Sequence, residues 1–158
     1  MGDGIRIETL GDQDDAGVRG LLVDLALEEQ DKYDHPRQSR QQVEQGMPPL
    51  RSSFVGENRI FVAREEGSGE AVGVCWCVLF DPGTGLEGEV AELYVTPSHR
   101  GRGISGMLLG EAMALFKSRS VTFVCVWTRD DNPAAMAAYR RAGFGDTEQR
   151  VLTWLPIS

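Results

Sequence analysis

Long apolar runs are missing from this chain. None of its 158 residues belongs to a stretch approaching the roughly 20 that a membrane helix requires. The opening Met-Gly-Asp-Gly-Ile-Arg-Ile-Glu lacks the charged-then-apolar order of a secretory signal. Gly2 is followed by no Ser or Thr where a myristoylation signal needs one. These absences lead us to expect a cytoplasmic protein with no membrane partner. Metal ligands are scarce as well. The histidines are His35 and His99, and the three cysteines contain no C-x-x-C pair, so no metal centre is expected. Cys75 and Cys77 flank Trp76 in an apolar run. Their i, i+2 spacing puts both thiols on one strand face, where they read as small core residues. Positive charge is also short. Lys and Arg number 16 against 24 Asp and Glu, a net charge of −8 that repels phosphate backbones and excludes charge-driven nucleic-acid binding. Cationic small molecules or basic protein segments would be attracted.

What is present suits one folded domain over residues 1–158, because 41% of the residues are hydrophobic and neither repeat nor linker is visible. Ile5–Leu10 alternates apolar and polar residues as a strand does. Asp14 or Asp15 can cap a following helix that carries Val18, Leu21, Leu22 and Leu25 at helical spacing. A short helix is predicted over Ser39–Gln45, stopped by Met47-Pro48-Pro49. Ile60–Arg64 and Ala71–Phe80 read as a hairpin around Glu-Glu-Gly-Ser-Gly-Glu, with Glu89–Val95 as the next strand. A helix then carries Ile104, Met107, Leu108, Ala112 and Leu115 on one stripe. Val121–Trp127 is almost wholly apolar, as a strand covered on both faces would be. Asn132 is a good N-cap, Pro133 suits the first helical position, and Gly143 suits C′ after a helix running to Ala142. Val151–Leu155 reads as a closing strand. The expected fold is α/β, with a mixed sheet containing one right-handed strand–helix–strand crossover.

The chemistry concentrates at Arg100-Gly101-Arg102-Gly103-Ile104-Ser105-Gly106, between a strand and a helix. Glycine lets backbone approach a ligand closely, and the free N–H groups of a helix's first turn attract anions. Arg100 and Arg102 add charge, so a phosphate or pyrophosphate is the natural occupant. The segment also fits G-x-G-x-x-G. In a dinucleotide-binding fold, however, that motif follows the first strand and leaves room for a doubly wound sheet. Here it begins past mid-chain. A P-loop is excluded, since no G-K-[ST] follows.

From Val90 to Phe144 the chain resembles the GNAT superfamily of N-acetyltransferases. The family signature Q/R-x-x-G-x-G/A reads here as Arg100-x-x-Gly103-x-Ser105, after Leu-Tyr-Val-Thr-Pro and before Asn-Pro-Ala-Ala-x-x-x-Tyr-Arg-Arg-Ala-Gly-Phe. Ser105 stands where the family has Gly or Ala, but serine is small and still donates its backbone N–H. The resemblance implies a mostly antiparallel twisted sheet flanked by helices, whose central parallel strands, Glu89–Val95 and Val121–Trp127, splay apart. It implies acetyl-CoA as cosubstrate and an amine as acceptor. The backbone of Gly101, Arg102, Gly103, Ile104 and Ser105 would hold the CoA pyrophosphate. The Leu93-Tyr94-Val95 strand would pair with the pantetheine arm through Leu93 and Val95, with the Tyr94 side chain structural. Asn132 would bond near that arm. Tyr139 falls where the family has its general acid. Tyr33, Asp34 and His35 lie in the inter-helix loop that often meets substrate in such enzymes, and His99 is either solvated or next to the cofactor. Homodimers are common in the family. A CoA-binding module without turnover is the alternative reading.

Acetyl transfer to an amine passes through a tetrahedral oxyanion. The amine must arrive neutral, and an ordinary lysine-like amine holds its proton to about pH 10.4, so a base or a water relay is needed. A backbone N–H of Leu93–Val95 can hold the oxyanion, and a tyrosine hydroxyl can protonate the departing thiolate. Strict alternation puts Val90, Glu92 and Tyr94 on one strand face and Ala91, Leu93 and Val95 on the other, under the helix. Glu92 is thereby predicted to face the acceptor and help take its proton. A β-bulge, frequent in this strand of related acetyltransferases, would break that parity.

Overall fold

A computed structural model describes residues 6, 8, 10, 15–32, 36–47, 55–82 and 85–154. Helix α1 (Ala16–Glu29) starts where Asp15 accepts a 2.9 Å hydrogen bond from the Val18 N–H. It buries Val23. Helix α2 (Arg40–Gly46) begins at Ser39 with a capping box: the Ser39 hydroxyl accepts from the Gln42 N–H, and the Gln42 side chain accepts from the Ser39 N–H. An Arg40–Asp24 ion pair and a 3.1 Å bond from Arg19 to the Met47 carbonyl tie α2 to α1.

Strands β1 (Val55–Arg64) and β2 (Ala71–Asp81) form the expected hairpin. Its turn is closed by the Glu65 N–H on the Glu70 carbonyl and the Gly69 N–H on the Glu65 carbonyl, both 2.9 Å. Strand β3 (Glu87–Val95) pairs antiparallel with β2, and β4 (Phe123–Val126) pairs parallel with β3. Among the described residues the sheet order is β1-β2-β3-β4. Between β3 and β4 runs α3 (Ile104–Ser118), and α4 (Pro133–Arg141) follows β4. The mixed α/β sheet of the sequence reading is therefore present.

Helix α3 lies against one sheet face. Its Leu108, Leu109, Ala112 and Phe116 are buried with Cys75, Cys77 and Leu79 of β2 and Val90 of β3. The two thiols stand 3.9 Å apart in that core, as their spacing predicted. The Cys75 thiol is held above its ordinary value by its bond to Cys77 and by burial. The tightest point of this packing is Gly88. A Cβ there would lie 2.5 Å from the Phe116 ring, which is itself buried, so only glycine lets the helix sit this close. Gly88→Ala is expected to destabilise the fold by about 1–3 kcal/mol through overpacking. A thermal melt that does not shift would show that Phe116 can step aside.

Three features differ from the sequence reading. Arg6, Glu8 and Leu10 are not in a strand, and the rest of the expected Ile5–Leu10 strand lies outside the described residues. Val151–Trp154 is not in a strand either, with Leu152 and Trp154 almost fully exposed. Alternation marks a segment able to become a strand, but a strand also needs a neighbour to bond its backbone, and this segment has none among the described strands. Finally, β3 does not alternate strictly. Trp76 opposes Glu92 while its neighbour Cys77 opposes Val90, so Ala91 is the extra residue of a bulge.

Candidate active site

The bulge decides where the site lies. The β3–β4 ladder runs from Glu87–Phe123 to Val90–Val126 and stops there. Beyond Ala91, β3 continues along β2, with Leu93, Tyr94 and Val95 opposite Cys75, Val74 and Gly73. Beta-4 no longer accompanies it. The two parallel strands part at this seam, and a cleft of about 590 Å³ opens beside it. One wall is Leu93–Val95, another is the loop and first turn of α3, and the third is α4.

The loop end of the cleft presents left-handed glycines and an uncapped helix N-terminus. Gly101 and Gly103 have φ of +75° and +78°, a conformation favouring glycine, and a Cβ on either would meet nothing within 4 Å. Gly103 is the N-cap of α3 without any side-chain cap, and the first bond back to it comes from the Met107 N–H at 3.1 Å. The N–H groups of Ile104, Ser105 and Gly106 thus precede the first intrahelical bond and are available to a ligand. Gly101, Gly103, Ile104 and Ser105 all line the cleft. The arginines behave differently from the sequence expectation. Arg100 lines the cleft, but its Nε donates to the Val95 carbonyl at 3.0 Å and its guanidinium lies 5.7 Å from the Tyr94 ring centroid. Its charge is folded onto β3 rather than held out towards an anion. Arg102 is exposed and outside the cleft lining.

Helix α4 supplies the third wall. Its N-cap Asn132 accepts from the Ala135 N–H at 3.2 Å and lines the cleft. Ala134, Ala135 and Ala138 line it as well, and their small side chains leave the space. The alanine-rich run after Asn132-Pro133 is the sequence signal for this wall. Tyr139 sits deeper, 8% exposed, with its ring edge-to-face against Phe144 at 5.8 Å. It forms part of this cleft and of a second one, about 570 Å³, between α4 and β4. Burial first, and then the nearby Cys75 thiol and Glu92 carboxylate, push the Tyr139 hydroxyl above its ordinary value. It therefore keeps its proton throughout the neutral range.

The bulge also re-sorts the faces of β3. Val90, Leu93 and Val95 belong to or pack against the core under α3, while Ala91, Glu92 and Tyr94 are exposed. Val90 and Ala91 each leave the set to which strict alternation assigned them, and Glu92 keeps its place opposite the α3 face. Glu92 is not part of the cleft lining but lies near enough to Tyr139 to act on its hydroxyl. Tyr33, Asp34 and His35 lie outside the described residues.

The acetyltransferase (GNAT) family profile matches residues 22–144, most of the chain and all of this site. The chain belongs to the GNAT family of acetyltransferases. Among its GNAT relatives, the mycothiol acetyltransferase of Thermobifida fusca is 30% identical over 124 residues, covering 75% of this chain and 38% of that protein. The chain thus spans well under half the length of that relative. Among solved structures, an aminoglycoside acetyltransferase from an uncultured soil metagenomic sample, in complex with sisomicin, covers 94% of this chain and 93% of its own at a TM-score of 0.55 and 15% identity. Aminoglycoside N-acetyltransferase AAC(6')-Iy in complex with CoA matches 62% of this chain and 75% of its own, with a TM-score of 0.52 and 18% identity. These two share this chain's fold. Among the described residues no helix is long and apolar enough to cross a membrane.

Proposed function

We propose that residues 1–158 act as a single cytoplasmic N-acetyltransferase domain that moves the acetyl group of acetyl-CoA onto a primary amine by direct attack. The opened seam carries this reading. One cleft joins a glycine-lined helix N-terminus, able to hold a pyrophosphate, to a buried tyrosine that keeps its proton. The residues fit the cosubstrate: glycines in the left-handed conformation the loop takes, uncapped N–H groups for the phosphates, a strand edge for the amide-bearing arm, and alanines along the opposite wall. Acetyl-CoA supplies the activated acyl group.

Each residue's role follows from its place. Gly101, Arg102, Gly103, Ile104 and Ser105 offer backbone N–H groups to the pyrophosphate. Leu93 and Val95 bond the pantetheine arm through their backbone, and Asn132 stands beside it. A backbone N–H of Leu93–Val95 that points away from β2, on a strand held in place by its pairing with β2, stabilises the oxyanion without reorganising. Tyr139 donates its proton to the departing thiolate. Glu92 receives a proton from the ammonium, directly or through water. Release of free thiol from acetyl-CoA, followed across a panel of amines, tests the whole reading. Tight binding of acetyl-CoA with no release for any amine would leave a CoA-binding module instead.

Glu92→Gln separates a proton acceptor from a surface carboxylate. Activity of the variant is expected to be depressed near neutral pH and to recover partly as pH rises and free amine accumulates. Parallel profiles of wild type and variant from about pH 6 to about pH 9 would remove Glu92 from the mechanism.

A further inference from the structure

His99 is a titratable side chain that the proposed reaction leaves unused, and it stands at the mouth of the cofactor cleft. It closes the short 3-10 turn Pro97–His99 ahead of the phosphate loop, and its side chain is only 16% exposed. Its Nδ1 lies 2.9 Å from both the Thr96 and Ser98 hydroxyls, and its Nε2 lies 3.4 Å from a Glu65 carboxylate oxygen. This network suits a neutral ring with its proton on Nε2, donated to Glu65, and with Nδ1 accepting from the hydroxyls. It equally suits a protonated ring, in which Nδ1–H donates to a hydroxyl oxygen.

The neighbouring charges make the two states unequal for an anion. Glu65, in the β1–β2 turn, also accepts from the Ser68 hydroxyl at 2.8 Å. That bond, followed by the one from His99, holds its carboxyl below the usual carboxylate range, so it stays ionised. Arg102 acts on Glu65 only through space. Arg100 is committed to the Val95 carbonyl and the Tyr94 ring, and Arg64 donates to the Gly69 carbonyl at 3.0 Å. The first turn of α3, Ile104-Ser105-Gly106-Met107, carries no charged side chain, and α4 presents Arg141 to the cleft. Arg100 and Arg141 keep their positive charge throughout, since a carbonyl and a ring do not cancel it. What changes beside the cleft is the His99–Glu65 pair, balanced when the ring is protonated and carrying one negative charge when it is neutral.

We propose that His99 sets a pH dependence of acetyl-CoA binding, its protonated ring neutralising Glu65 beside the incoming pyrophosphate and its neutral ring leaving that carboxylate to repel it. The inference rests on the reading of this cleft as the acetyl-CoA site. Histidine is the side chain that ordinarily changes charge between about pH 5 and pH 8. Affinity is therefore higher with the ring protonated, and binding in turn draws a proton onto it. A unit charge switched within several ångströms of a bound anion at a protein surface changes affinity by roughly three- to thirtyfold.

The test is calorimetric titration with acetyl-3′-dephospho-CoA, whose diphosphate keeps its charge over this range. The wild type is expected to bind roughly three- to thirtyfold more weakly at about pH 8 than at about pH 6. His99→Gln, which keeps a donor for Glu65 but never ionises, is expected to lose that difference. Glu65→Gln is expected to bind more tightly than wild type at about pH 8, since the repelling charge is gone. A wild-type slope retained in His99→Gln overturns the proposal. So does unchanged affinity of Glu65→Gln at the higher pH, a result that stands even if the histidine variant misfolds. Wild-type binding at one affinity throughout overturns this inference alone. No binding at any pH overturns the cofactor reading with it.

Discussion

Gly103→Asp is expected to weaken acetyl-CoA binding by about a hundredfold or more while the protein still folds. Two effects act on binding. The side chain takes up space beside the N-terminus of α3 that is open now. Its carboxylate also comes within several ångströms of the pyrophosphate, where like charges at the effective dielectric of a protein surface repel by a few kcal/mol. The fold loses less. The backbone at Gly103 has φ of +78°, and a side chain there costs about 1–2 kcal/mol, with Asp among the residues that tolerate it best. Gly103→Ala shares the strain but not the charge, so the gap between the two variants isolates the electrostatic part. Thermal shift is the simplest readout. At about one hundred times its dissociation constant, a ligand adds about 2.7 kcal/mol of stability. Wild type should gain it and the aspartate variant should not. An unchanged calorimetric affinity in Gly103→Asp would mean that the pyrophosphate sits elsewhere.

Tyr139→Phe should slow turnover by roughly 10- to 1,000-fold and leave acetyl-CoA affinity nearly unchanged. The ring stays, so its edge-to-face contact with Phe144 and its place in the core stay with it. What goes is one hydroxyl whose proton is held firmly by burial. A donor of that kind matters only when charge develops on the leaving sulfur, so the loss should fall on kcat rather than on binding. Single-turnover measurements check that chemistry, and not product release, is being read. If the single-turnover rate of the variant equals that of wild type, Tyr139 is a packing residue.

The part of the site that local chemistry specifies was legible in the sequence. Asn132 caps α4, Pro133 opens it, and Gly143 takes the left-handed conformation after it, each as its residue type dictates. Gly101 and Gly103 are left-handed where the loop needs them. The hairpin and α3 follow from periodicity, within a few residues at their ends. Features set by two segments at once were less legible. The bulge at Ala91 depends on how β3 registers against β2, and no pattern inside β3 announces it. Val121–Trp127 is almost wholly apolar, yet the strand spans only Phe123–Val126, stopping where the seam with β3 opens, and Phe123 is exposed rather than covered on both faces. The commitment of Arg100 to the Val95 carbonyl likewise depends on the path of the loop, not on the motif that led us to expect a phosphate contact. His99 lines the cleft, a placement that depends on the path of the loop.

The short β3–β4 ladder has a consequence for how the molecule opens. Strands β1 to β3 are joined by short connections in the chain and share long ladders, so their pairing closes short loops. Beta-4 joins only after the whole of α3 and is held by four registered pairs. The sheet's weakest seam is therefore the one that borders the cleft. Slow amide exchange should concentrate in β1–β3 and α3, with β4 and α4 exchanging sooner through partial opening. A ligand seated in the cleft touches β3, α3 and α4 together and so bridges that seam. Its protection should then appear at β4 as well, in a strand it does not itself touch.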